Sequence, residues 1–128
     1  MTSTAPSFTI PARPDAAIAC DMTDAPDTPS ERLAEYGRLF AHALLTRERT
    51  PAGVVFTFAA KPGVWEWLTD LVHREAVCCP CFAYEVSADD NRIVWSLTSE
   101  AGPAAQAMLD EFAAMPPEFG DAFTRLDS

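Results

Sequence analysis

No stretch of this 128-residue chain approaches the eighteen or so consecutive apolar residues that a membrane span requires. The opening Met1-Thr2-Ser3-Thr4-Ala5-Pro6 has neither the basic start nor the apolar run of a secretion signal. Positive charge is scarce as well, with 9 Lys and Arg against 19 Asp and Glu and a formal net charge of −10. A surface of that sign repels phosphate backbones, so direct nucleic-acid binding by this chain is not expected. There is no internal repeat. Cysteine is also rare, yet three of the four fall in Cys78-Cys79-Pro80-Cys81, with Cys20 far upstream. These absences point to the cytoplasm, where thiols stay reduced and a cysteine cluster means metal or redox chemistry more often than a structural disulfide. At this length one domain buries a core large enough to stand without disulfide staples.

Residues 1–16 are rich in Ser, Thr and Pro with little periodicity, the pattern of a mobile N-terminal arm. Ala17 to Met22 alternates as a short strand that ends near Cys20, and Asp24-Ala25-Pro26-Asp27 turns the chain. Thr28-Pro29-Ser30-Glu31 opens a helix: Thr28 caps, Pro29 takes the first helical position, and Glu31 completes a capping box. This helix is expected to run to about Thr46, with Leu33, Tyr36, Gly37, Phe40 and Leu44 on one face and His42 pointing into solvent. Val54 to Ala59 reads as a strand after the break at Thr50-Pro51-Ala52-Gly53. A second helix follows from Val64 to about Cys78, its apolar face made by Val64, Leu68, Leu71 and Val72. Glu75 falls in the middle of that face, Cys78 and Cys79 lie at its two edges, and His73 lies opposite.

Pro80 ends the helix, after which Phe82, Tyr84 and Val86 alternate, turn at Asp89-Asp90-Asn91, and return through Ile93, Trp95 and Leu97. A last helix carries Ala105, Met108, Leu109 and Phe112 on one face and stops before Pro116-Pro117. The expected architecture is therefore an α+β two-layer domain over residues 17–117, a largely antiparallel sheet with helices packed on one face, followed by a tail at 118–128.

Cys78-Cys79-Pro80-Cys81 has the Cys-x-Pro-Cys form of a thioredoxin-type motif, but there the motif opens a helix whose N-terminus stabilises the thiolate. Here the helix precedes it, and the carbonyl end of a helix disfavours negative sulfur. A soft metal ion reverses that balance because it deprotonates its thiol ligands outright. A bond between adjacent Cys78 and Cys79 would be strained. Two or three thiols meeting Cys20 would instead make a site for copper(I), zinc, mercury or arsenic, with Glu75 as a further ligand or as a partner of the ligands. Fewer than four clear ligands argue against a closed structural zinc site. The competing reading is that free cysteines commonly sit in cores; Cys81 in particular faces away from Cys79 if the strand alternates there. Glu75 is harder to dismiss, since a carboxylate on a buried stripe is costly unless paired, protonated or bound.

Glu75-x-x-Cys78-Cys79-Pro80-x-Phe82, with Ala19-Cys20, Arg32-Leu33-Ala34-Glu35 and Gly53-Val54, resembles a small, mostly uncharacterised bacterial Cys-Cys-Pro domain over most of the chain. That domain occurs alone or fused behind the DNA-binding part of mercury-resistance-regulator (MerR) type transcription factors. The resemblance implies that Cys20, Glu75, Cys78 and Cys79 form a shared set that senses or handles a thiol-reactive ligand. Cys81 departs from it, because an aromatic residue is usual there, and the 128 residues contain no winged-helix DNA reader, so direct transcriptional control is not expected to carry over.

Three functions follow as expectations. The first is capture of a thiophilic metal or metalloid ion by the vicinal thiols Cys78 and Cys79 with Cys20, and with Cys81 as the least secure ligand, for sensing or heavy-metal resistance. The second is an organometal lyase, with two thiolates holding the metal and Glu75 delivering a proton to carbon, as organomercurial lyase does with a similar inventory. The third is a thiol redox or electrophile sensor in which Cys20 closes a reversible disulfide with Cys78 or Cys79. The expected partner is an ion or a small organometallic molecule, with neither nucleic acid nor membrane involved; the oligomeric state is left open, a dimer included.

Overall fold

The β-branched and aromatic residues of the two central strands dictate the sheet. In β3 (Gly53–Ala59), Val54, Phe56 and Phe58 are buried while Val55, Thr57 and Ala59 are only partly so; β5 (Arg92–Thr98) repeats the alternation with Ile93, Trp95 and Leu97 buried. Their register sets Phe56 opposite Trp95, so one aromatic face runs through the middle of the sheet. The structure, a computed structural model, describes residues 6–13, 15–17 and 19–115. Its remaining strands are β1 (Ser7–Ile10), β2 (Leu44–Thr50) and β4 (Ala83–Ala88). All five strands pair antiparallel in the order β1-β4-β5-β3-β2.

Helices α1 (Pro29–Ala43), α2 (Val64–Cys78) and α3 (Pro103–Ala114) pack on the sheet's apolar face, giving the α+β domain that the hydrophobic pattern predicts. The capping box is present: Glu31 N–H donates to Thr28 Oγ1 at 3.1 Å, and Thr28 N–H to Glu31 Oε1 at 2.8 Å. No helix among the described residues is long and apolar enough to cross a membrane.

Three local expectations are corrected. Ser7–Ile10, inside the stretch read as an arm, is an edge strand paired with β4. The first helix ends at Ala43 rather than Thr46, and the chain passes directly into β2. Leu44–Thr50 has residues that a helix would accept, but Pro51-Ala52 reverses the chain and pairs it with β3, so tertiary pairing overrides local preference. Ala17 to Met22 forms no strand among its described residues; Ile18 lies outside them. That segment crosses the C-terminal end of α2 as an irregular strap, tied by Arg13 N–H to Pro80 O and by Asp21 N–H to Cys78 O, both at 2.9 Å. The tail at 118–128 lies outside the described residues.

Gly53 opens β3 where only a hydrogen fits. A Cβ there would collide with the Leu97 carbonyl oxygen and lie 2.7 Å from Thr98 Cγ2. Gly53→Ala is expected to cost at least about 1–3 kcal/mol by forcing β3 and β5 apart. A urea midpoint equal to wild type would refute that.

Candidate functional site

The strap carries exposed Cys20 over the end of α2, and there it forms a disulfide with buried Cys79, 59 residues away, with Cα atoms 4.4 Å apart. Cys79 is the C-cap of α2, and its N–H donates to Glu75 O at 2.7 Å. The two side chains therefore share one face across a single helical turn, which brings Glu75 Oε2 to 3.1 Å from Cys79 Sγ. In the disulfide that sulfur carries no hydrogen, so a hydrogen bond between them needs the proton on Glu75. In the dithiol the Cys79 S–H can donate to the carboxylate instead.

Glu75 is only 5% exposed, as its place on the apolar stripe requires. Burial pushes its carboxyl above the ordinary range, partly opposed by the Tyr36 hydroxyl, which donates to Oε1 at 2.5 Å, and by Arg32, with Nη1 3.4 Å from the same oxygen. Arg32 is itself buried and is gripped by Asp27, with Nε to Oδ2 at 2.7 Å and Nη2 to Oδ1 at 2.8 Å. Its charge is thus largely answered before it reaches Glu75. Arg74 fastens the outer layer, donating to Asp27 Oδ2 at 3.1 Å and to both Glu35 oxygens at 2.9 and 2.7 Å. Trp67 Nε1 donates to Glu35 Oε2 at 2.8 Å. The result is a rigid ion-pair lattice between α1 and α2 that leaves Glu75 with neutral donors and one distant, shared cation.

Of the sequence-predicted set, the fold brings together Cys20, Cys79 and Glu75, whose ligand atoms all lie within 4.8 Å of one another. Among the described residues no other group of three or more such side chains converges. Cys78 is a buried free thiol outside this group, its sulfur 3.8 Å from Arg32 Nη2. Cys81, also free and buried, lines a separate recess with Ala12, Thr98 and Ser99. The vicinal sulfurs are thus not the pair that meets: consecutive residues leave a helix about 100° apart, so Cys78 and Cys79 emerge on opposite sides of Glu75, and the Cys20 sulfur arrives on the Cys79 side. His73 stacks on Phe8 at 4.8 Å and His42 is exposed, both away from the cluster.

The sequence reading missed Arg32 and its lattice. Burial on α1 centres on Arg32, Tyr36, Leu39, Phe40 and Ala43, about one residue round from the expected stripe. Arg32, Tyr36 and Phe40 are spaced i, i+4, i+8, so the available signal was a guanidinium in register with a buried face, opposite a carboxylate that needed a donor.

The lattice and Glu75 act oppositely on stability. Asp27 is held below its ordinary range by the hydrogen bond from Arg32, against its own burial. Burial pushes Glu35 upward, but Arg74 and Trp67 outweigh it, so it too titrates low. Both contribute stability that is present above the unfolded carboxylate range and lost as pH falls through their folded values. Glu75 is raised, so above about pH 4.5 the unfolded chain releases a proton that the folded chain keeps, and stability falls as pH rises toward its folded value. Glu75→Gln removes that loss. The stability of the variant relative to wild type is expected to increase from pH 5 to pH 8 in urea denaturation; parallel curves would contradict the assignment.

Comparison of the chain with protein-family models, with curated proteins and with solved structures finds no match in any of the three.

Proposed function

We propose that the protein works through a reversible dithiol at Cys20 and Cys79, with Glu75 taking the proton from Cys79 when the disulfide closes and returning it when the disulfide opens. The observation that carries this reading is the buried carboxyl 3.1 Å from the buried sulfur of the disulfide. A structural staple needs no such group. Burying Glu75 costs stability, and the domain has a continuous core of aromatic and aliphatic side chains without the crosslink. Exposure supports the division of labour: Cys20 is exposed and would be the thiol that outside reagents reach, and buried Cys79 would be the resolving thiol beside its acid and base. Closure and opening would move the strap against the end of α2.

Alkylation under denaturing conditions is expected to count two free thiols in the oxidised protein, Cys78 and Cys81, and four after reduction. Equilibration in dithiothreitol redox buffers is expected to give a midpoint potential above about −300 mV, the range of labile rather than structural disulfides. A midpoint well below that would make Cys20–Cys79 a staple and end the redox reading.

A second reading is favoured by the 4.8 Å convergence of Cys20, Cys79 and Glu75. In the reduced state two sulfurs and one oxygen fit a soft ion with an open position, as the sequence expectation of zinc, copper(I), mercury or arsenic requires. Glu75 and the two thiols would hold the ion; Arg32, already paired with Asp27, opposes it weakly. Native mass spectrometry of reduced protein with zinc(II) or copper(I) tests it: one ion retained by wild type and by Cys78→Ser, and lost in Cys20→Ser, supports this site. Loss in Cys78→Ser and retention in Cys20→Ser would return the role to the vicinal pair.

A further inference from the structure

Cys20 is not only exposed; it also forms part of the wall of a cavity of about 350 Å³, whose apolar lining includes Met22, Leu33, Met108, Phe112 and Met115. Arg32, Tyr36 and Glu75 close its polar end. That volume falls in the lower part of the ~300–1,000 Å³ range of small-molecule sites, and three methionines give a lining that adapts to apolar groups of differing shape. The chain's net charge of −10 works against anionic ligands. Resting on the dithiol reading above, we propose that the substrate of Cys20 is a small uncharged organic disulfide, R–S–S–R, whose apolar R group seats in this cavity.

The reaction balances within those partners. The Cys20 thiolate attacks one sulfur of R–S–S–R, forming a Cys20–S–S–R bond and expelling R–S⁻. Cys79 then attacks Cys20 Sγ, closing the Cys20–Cys79 disulfide and expelling the second R–S⁻. The Cys20 proton passes through water to the first departing thiolate and the Cys79 proton passes to Glu75, so dithiol, Glu75 carboxylate and R–S–S–R become protein disulfide, Glu75 carboxylic acid, one R–SH and one R–S⁻. Two electrons move from the protein to the substrate. The position of Cys20 on the cavity wall, with Cys79 behind it, places the R group in the cavity while the mixed disulfide exists.

The test uses the full chain carrying Cys79→Ser, which stops the sequence at the mixed disulfide. Its rate of formation is followed by intact-protein mass spectrometry, with peptide mapping to Cys20, for dibutyl disulfide and for glutathione disulfide. N-acetylcysteine supplies the ratio of the two rates for a thiol without a cavity. The ratio at Cys20 is expected to exceed the free-thiol ratio by about tenfold or more. Met108→Asp, which places a charge in the lining, is expected to bring it back toward the free-thiol value, and Met108→Leu, which keeps the apolar volume, to preserve it. A ratio at Cys20 equal to that of N-acetylcysteine, or one unmoved by Met108→Asp, overturns the substrate assignment. If wild type still cycles between two and four free thiols, the dithiol reading survives that failure; if its disulfide stays closed through the redox titration described above, the underlying reading has failed instead.

Discussion

Arg32→Met is expected to destabilise the domain by about 3 kcal/mol, the lower end of the ~3–5 kcal/mol measured when one partner of a buried ion pair is removed. The Arg32 side chain is 3% exposed and supplies two of the three side-chain hydrogen bonds that hold Asp27, as well as a guanidinium 3.4 Å from Glu75. Without it Asp27 keeps a single contact with Arg74 at 3.1 Å, and Glu75 keeps only Tyr36 and the Cys79 sulfur. The lower end applies because Asp27 is 15% exposed and gains some solvation. Arg32→Lys should recover little, since a point ammonium cannot reproduce the two-pronged grip on Asp27. Urea denaturation of the three proteins at neutral pH checks this; a loss under about 1 kcal/mol for Arg32→Met would show that the lattice is surface decoration. The same variant should shift the Cys20–Cys79 midpoint potential, because Glu75 loses a neighbour that favours its charged form.

Trp95→Ala is expected to cost about 3–5 kcal/mol, the usual range for truncating a buried aromatic. The indole is fully buried, stacked on Phe56 at 4.9 Å and parallel to the Tyr36 ring at 6.1 Å, with Phe112 edge-on at 6.5 Å. Tyr36 is the residue that holds Glu75, so a hole beneath its ring lets the hydroxyl drift from the carboxyl. The core variant is therefore expected to slow closure of the disulfide as well as to weaken the fold. Trp95→Phe separates the two effects. Among the described residues Trp95 Nε1 has no hydrogen-bond partner, and phenylalanine removes that unsatisfied donor while keeping a ring under Tyr36. It should cost clearly less than alanine and leave closure near the wild-type rate. Equal losses for the two variants would detach the core from the site.

Some of this was legible locally. The capping box at Thr28 and Glu31, the apolar stripe of α2 and the alternation of the β4–β5 hairpin are short-range patterns, and each appears where the spacing predicts it. Glu75 also declared itself, since a carboxylate at the centre of an apolar face must be answered by something. The two edge strands were not legible. β1 is four residues in a proline-rich stretch, and β2 follows α1 without a breaking residue; both exist because a partner strand offers hydrogen bonds that no local window contains.

By itself, the sequence determined the two-layer class, the acidic surface and the gathering of thiols and one acid at the end of α2. The tertiary structure decided which sulfur meets Cys20. An irregular strap crosses the helix end on the side where Cys79 and Glu75 emerge, leaving Cys78 against Arg32 and Cys81 in another recess. Adjacent cysteines look interchangeable in a linear motif, but a helix turns them about 100° apart, and only the path of the returning chain selects between them.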